Sequence, residues 1–163
     1  MSSYAEALLE FYGGEVGGEA AYSSLLGMAE NDEQRLKWAT LLQLETETKA
    51  WLRSPLIAHG VSIEERDADR ARAARGTEGF RQMSWSQKMQ ALSSFLEKKV
   101  VPRYQSLADE ARARGSADEV AVCVFMVEHE KAQIEFAQRE LAGASADRSL
   151  EPVVKFLKYP IKS

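Results

Sequence analysis

Cysteine is almost missing from this chain: Cys123 is the only one in 163 residues. An intramolecular disulfide is therefore excluded, and no Cys-x-x-Cys metal or redox motif exists. Histidine is nearly as scarce, with two residues, and no Ser-His-Asp, Cys-His or phosphate-loop spacing occurs. Proline (4) and glycine (10) are few, and clear β-runs are rare. No apolar run approaches the roughly 20 residues that cross a bilayer. Met1 to Leu9 shows no basic stretch followed by an apolar one, so a secretory signal is not expected. An excess of positive charge is missing too. The 21 basic residues are outnumbered by 25 acidic ones, for a net charge of −4, which argues against a dedicated nucleic-acid binder. The expected compartment is the cytoplasm. The expected partner is a second copy of the chain, in a homodimer or higher homo-oligomer; neither nucleic acid nor membrane is expected.

What is present favours helices. Ala, Leu, Glu, Gln, Arg and Lys dominate, and 45% of the chain is hydrophobic, enough for one domain with a full core. The first helix is expected from Ser3 to about Glu30, with the face Leu8, Tyr12, Glu15, Glu19, Tyr22, Leu26. A second begins at Asn31 or Asp32 with the face Trp38, Leu41, Glu45, Thr48, Leu52. It should break or kink before Pro55, and His59-Gly60 reads as an ending. Ser62 to Glu65 has capping-box spacing, so a short polar helix over Ser62 to Arg75 is expected as a surface crossover. The third long helix starts near Ser84, with Gln87 three residues on, and stops at Gly115. Pro102 inside it predicts a kink or π-bulge. The fourth runs from the Ser116 to Glu119 box to about Ala142, with the face Cys123, Met126 or Val127, Glu130, Gln133 or Ile134, Ala137, Leu141. The predicted plan is all-α: an up-down four-helix bundle over residues 1–146, with a long crossover between helices two and three, and a tail over 147–163 packed on it.

Glutamates in the apolar stripes carry the functional reading. A buried, unpaired carboxylate is costly, so it neutralises or finds a cation. Glu15, Glu45 and Glu130 sit in such stripes; Glu97 sits with Val101, Tyr104 and Ala108 but adjoins Lys98 and Lys99. Tyr22 follows Glu15 by seven positions, and Tyr104 follows Glu97 by seven. Glu45 follows Glu15 by 30, and Glu130 follows Glu97 by 33, so the chain reads as two similar hairpins with one glutamate per helix. Glu47 and Glu128 are rival candidates. Periodicity turns them toward charged faces, Glu128 with Lys131, Glu135 and Arg139.

These elements resemble the ferritin-like superfamily, especially its rubrerythrin-like members. That family holds a carboxylate-bridged di-iron site in a four-helix bundle; two helices each supply a Glu and two supply Glu-x-x-His. Gly14-Glu15-Val16-Gly17-Gly18-Glu19-Ala20-Ala21-Tyr22 is similar to the family's first helix. Leu44-Glu45-Thr46-Glu47-Thr48 and His129-Glu130-Lys131-Ala132-Gln133 are similar to its second and fourth. The resemblance implies Glu15, Glu45, Glu97 and Glu130 as metal ligands, iron or manganese as the metal, and oxygen or peroxide chemistry if iron binds, the work of a non-haem di-iron or manganese oxidoreductase. Thr48 and Gln133, with Tyr22 and Tyr104, would stand around the carboxylates. The chain departs from the family at Thr48 and Gln133, where histidines are usual. The remaining oxygen donors suit harder ions such as Mn²⁺ or Mg²⁺.

Plainer readings stand beside this one. Solvated glutamates paired with lysine or arginine would make the chain a metal-free bundle that binds or scaffolds another protein. His129, flanked by Phe125, Ala132 and Phe136, reads as a core residue. Cys123 reads as a small buried hydrophobe, and Trp38, Trp51 and Trp85 as packing residues. Gly13, Gly14, Gly17 and Gly18 read as a close helix–helix approach, or as room for a ligand beside Glu15.

Overall fold

Residues 3–161 are described by the structure, a computed structural model; among them the chain is all-helical, with no strand. It divides into two units. One takes in the chain up to Met83 and the stretch from Leu157 on; the other is Ser84–Phe156.

The first unit is built on α1 (Ser3–Leu26) and α2 (Asp32–Ala58). Asn31 separates them as a cap: its side chain accepts from the Gln34 amide at 2.9 Å, and the Gln34 side chain accepts from the Glu30 amide at 3.1 Å. Four orphan donors at a helix start make such caps worth about 1 kcal/mol. Asn31→Ala should therefore lower the melting temperature by about 2–4 °C in a calorimetric scan. The two helices run antiparallel. Tyr4 meets His59 edge-on, Glu19 accepts from Thr46 at 2.8 Å, and Tyr22 stacks on Trp38 at 5.9 Å, so contacts move up one helix as they move down the other.

Two expectations for this unit need correcting. The helix does not break at Pro55 but continues to Ala58. Proline removes one amide donor there, yet the bonds after it are made. His59 N donates to Pro55 O at 3.1 Å, Gly60 N to Ile57 O at 3.0 Å and Val61 N to Leu56 O at 3.0 Å. Leu56, fully buried, anchors that last turn, and Gly60 at φ +68° closes it. The crossover helix is shorter than expected. α3 covers Asp67–Gly76 without a side-chain cap, because its N-cap is Arg66, which has no acceptor; the Glu65 carboxylate of the expected capping box goes instead to Tyr12, Lys49 and Arg70. α3 buries none of its residues. It lies on α1 where Gly17 faces Ala73, the space of a Cβ there being 3.8 Å from the Ala73 Cβ.

The second unit opens on a complete capping box, Ser84 with Gln87, at the start of α4 (Trp85–Phe95). A π-helical turn, Leu96–Val100, follows and leads into α5 (Val101–Arg114), where Pro102 occupies the first turn. The expected distortion is therefore a π turn. It absorbs the amide that proline cannot donate. Gly115, at φ +76°, ends α5, and Ser116 caps α6 (Ala117–Leu141) by accepting from the Glu119 amide. Arg114 pairs with Glu119 at 2.8 Å at the turn and Gln138 donates to Glu97 at 3.0 Å farther along, so this hairpin is antiparallel as well. α7 (Ala146–Val154) packs on α6, tied by Arg139 to Glu151 at 2.9 Å. Cys123 is buried in this unit, and burial pushes its thiol up to about 11, away from thiolate chemistry. Among the described residues no helix is long and apolar enough to cross a membrane.

Candidate metal centre

In α2 every residue of the predicted face is buried: Trp38, Leu41, Glu45, Thr48 and Leu52. The helix is uninterrupted over this span, so 3.6-residue periodicity holds from end to end. Glu45 is held among apolar neighbours by that stripe, with Thr48 one turn on. In α1, Glu15 is fully buried, in a helix that also buries Leu8, Phe11 and Tyr22. The two carboxylates meet: an oxygen of Glu15 and one of Glu45 lie within 4.8 Å of each other. Two carboxylates brought together in the interior offer the oxygen donors that hard divalent cations take.

Gly18 makes this approach possible. A Cβ built on it would stand 2.0 Å from Glu45 Oε2 and 2.6 Å from Glu45 Cδ. The glycine is one turn from Glu15 on α1, so the helix that supplies one carboxylate also makes the hollow for the other. The Gly-rich stretch signalled close approach in the sequence; which glycine serves which neighbour is a tertiary fact.

Glu19, also read into the stripe, turns aside from this pair. It accepts from Lys49 at 2.6 Å, Arg70 at 2.9 Å and Thr46 at 2.8 Å. Burial raises its pKa, but those hydrogen bonds outweigh burial and hold the carboxyl down at about 2. Lys49 in turn is pulled down by burial and lifted further by Glu19 and Glu65, so it stays a cation. Glu65 completes the group, its carboxyl lowered by the Tyr12 hydroxyl at 2.7 Å, against burial, and by Lys49. This linkage of α1, α2 and α3 was not legible in the sequence, because its members lie tens of residues apart.

The second unit carries the other two glutamates in unlike settings. Glu130 is buried on α6, where Gln133 Nε2 lies 3.3 Å from its Oε2 and His129 Nδ1 3.4 Å from its Oε1. His129 is fully buried against the rings of Phe125 and Phe156, which also meet each other, a core setting as the sequence suggests. Tyr104 is buried on α5.

Glu97 is exposed, against the expectation that it shares the buried stripe. Its Oε1 accepts from Ser93 at 3.0 Å and Gln138 at 3.0 Å, a surface link between α4 and α6. The physical reason is the π turn. Counting back from Tyr104 with α-helical spacing lands on Glu97, but a π turn inserts one residue and shifts the face. Leu96, which is buried, takes the inward position instead.

The rivals point outward as periodicity requires. Glu47 accepts from Gln43 at 2.7 Å and from the Tyr159 amide at 3.3 Å, and Glu128 pairs with Lys131 at 2.8 Å. No protein-family model, curated protein or solved structure matches this chain.

Proposed function

We propose that this protein is a ferritin-like helical metalloprotein whose two hairpins form a four-helix bundle around a carboxylate centre. The observation that carries the reading is the buried Glu15–Glu45 pair, with carboxylate oxygens within 4.8 Å in a space Gly18 leaves for it. Each residue offers an anionic oxygen, and burial keeps bulk water from competing for the ion. The Thr48 hydroxyl adds a neutral oxygen where the family places a histidine. This donor set fits hard divalent ions, Mn²⁺ ahead of softer ones. Iron, if bound, would supply oxygen or peroxide chemistry. Glu130, buried on α6, is the third acid the sequence pattern assigns to the centre.

The test is metal content together with titration calorimetry on protein purified without chelators. About two equivalents of Mn or Fe would match a dinuclear centre. Glu15→Gln and Glu45→Gln should each abolish saturable Mn²⁺ binding, and Glu130→Gln asks whether α6 takes part. Less than about a tenth of an equivalent, with no Mn²⁺ uptake by the folded protein, would sink the reading and leave the metal-free binding bundle.

Thr48→His sharpens the test. The new imidazole would lie one turn beyond Glu45 on the same buried face. Co²⁺ and Zn²⁺ affinity should rise more than Mg²⁺ affinity, and binding should weaken below a pH of about 6.5 as the ring takes up a proton. Visible absorption of the Co²⁺ form reports both effects. An unchanged spectrum in a folded variant would show that this face of α2 meets no metal.

A further inference from the structure

The helical glycines of α1 are not alike. Gly18 makes room for Glu45, and Gly17 stands against Ala73, but a Cβ on Gly13 would meet nothing within 4 Å. Close packing therefore requires glycine only at Gly18; at Gly17 a Cβ would make ordinary contact, 3.8 Å from the Ala73 Cβ, and at Gly13 it would meet nothing. Glycine inside a helix is destabilising, so a position where alanine would fit freely calls for a reason. Gly13 and Gly17 line a cleft of about 570 Å³ between α1, the 62–66 stretch and α3, all within the first unit. That volume is in the range of small-molecule sites, roughly 300–1,000 Å³.

The walls divide by chemistry. Leu9, Val16 and the two glycines make an apolar floor. The rim bears Arg66 and Arg72, both bonded to one carboxylate: Arg66 Nε donates to Asp69 at 2.8 Å and Arg72 Nη2 at 3.0 Å. A guanidinium has five N–H donors, so each arginine keeps most of its own after serving Asp69. The acids are more fully committed. Asp69 is spent on the two arginines, and Glu65 on Tyr12, Lys49 and Arg70. Exposed Glu64 is the exception at the rim.

We propose that this cleft is a binding site for a small amphipathic carboxylate. Its apolar body lies on the Gly13 floor and its head group is held by Arg66 and Arg72. Planar, forked donors suit a carboxylate, and a charged head at an arginine pair discriminates against a cation of the same shape. The site is separate from the Glu15–Glu45 pair, so Mn²⁺ binding should not change when it is filled or blocked.

Octanoate, used below its micellar concentration, is the probe, titrated into the full chain by calorimetry beside octylammonium and octanol. Octanoate should bind at one site per chain and octylammonium at least about tenfold more weakly. Gly13→Leu fills the floor and should abolish binding, with circular dichroism and melting confirming an intact fold. Arg72→Gln, on a side chain 77% exposed, cannot disturb the core and should weaken octanoate by about tenfold. Glu64→Gln should strengthen it by removing a like charge. No saturable octanoate binding, binding undiminished in Gly13→Leu or Arg72→Gln, or equal affinity for octylammonium would each overturn the assignment.

Discussion

At the metal centre proposed for Glu15 and Glu45, Gly18→Ala should lower Mn²⁺ or Co²⁺ affinity by at least about 10–100-fold while the protein stays folded; shifting even the supports of a metal ligand costs that much. The substitution adds a single methyl group. In most helix interiors it would stabilise the fold by roughly 0.5–1 kcal/mol. Here the new Cβ would fall 2.0 Å from Glu45 Oε2, so the carboxylate must turn away from Glu15. The atoms in conflict are the far end of a flexible side chain, so the helices need not move apart. Stability and metal binding should therefore separate: a melting temperature near the parent's, with calorimetric binding largely gone. Full affinity in a folded Gly18→Ala variant would mean that Glu45 is not a ligand in this position.

The second large effect concerns acid. The carboxyl of Glu19 lies at about 2 in the folded chain against an ordinary 4.5, with Lys49, Arg70 and Thr46 outweighing burial. A depressed carboxyl stabilises the fold above its unfolded value and loses that contribution as pH falls through the folded one. Between about pH 4.5 and 2 the unfolded chain binds more protons, so stability falls as acid is added. The full difference is on the order of 3 kcal/mol. Glu19→Gln should therefore destabilise the protein by about that amount at pH 7 and by little near pH 2, flattening this part of the pH profile. Urea titrations at a series of pH values measure it. Equal destabilisation at pH 7 and pH 2 would show that the ion pairs of Glu19 add nothing beyond the shape of its side chain.

Both predictions rest on residues that the sequence singled out only in part. Gly18 belonged to a group of four glycines with one shared reading, close approach or room for a ligand. The structure divides them: Gly18 admits a carboxylate, Gly17 meets α3, and Gly13 opens a cleft. Glu19 read as one more residue of a stripe, whereas its charge is spent on Lys49 and Arg70. Nothing local distinguishes these roles, because each depends on what another helix brings to the same point.

The helical class, the start of α2 at Asn31 or Asp32, the caps at Ser84 and Ser116, the ending at Gly115, the buried face of α2 and that of α6 as far as Ala137 were determined by the sequence alone, whereas Leu141, expected on the α6 face, is exposed. All of them follow from interactions between residues three or four apart, or from a periodicity that holds wherever a helix is regular. Glu45 and Glu130 were found for the same reason. Tertiary structure decided the rest. A kink or π-bulge at Pro102 was expected; that it is a π turn, whose change of face sends Glu97 to the surface and puts Leu96 inside, is a tertiary fact. Pro55 stayed within its helix because Leu56 is anchored in the core, and Glu65 left its local cap for partners on three helices. Local rules state what a residue prefers; long-range packing and ion pairing, larger than one cap or one lost hydrogen bond, decide whether the preference is met.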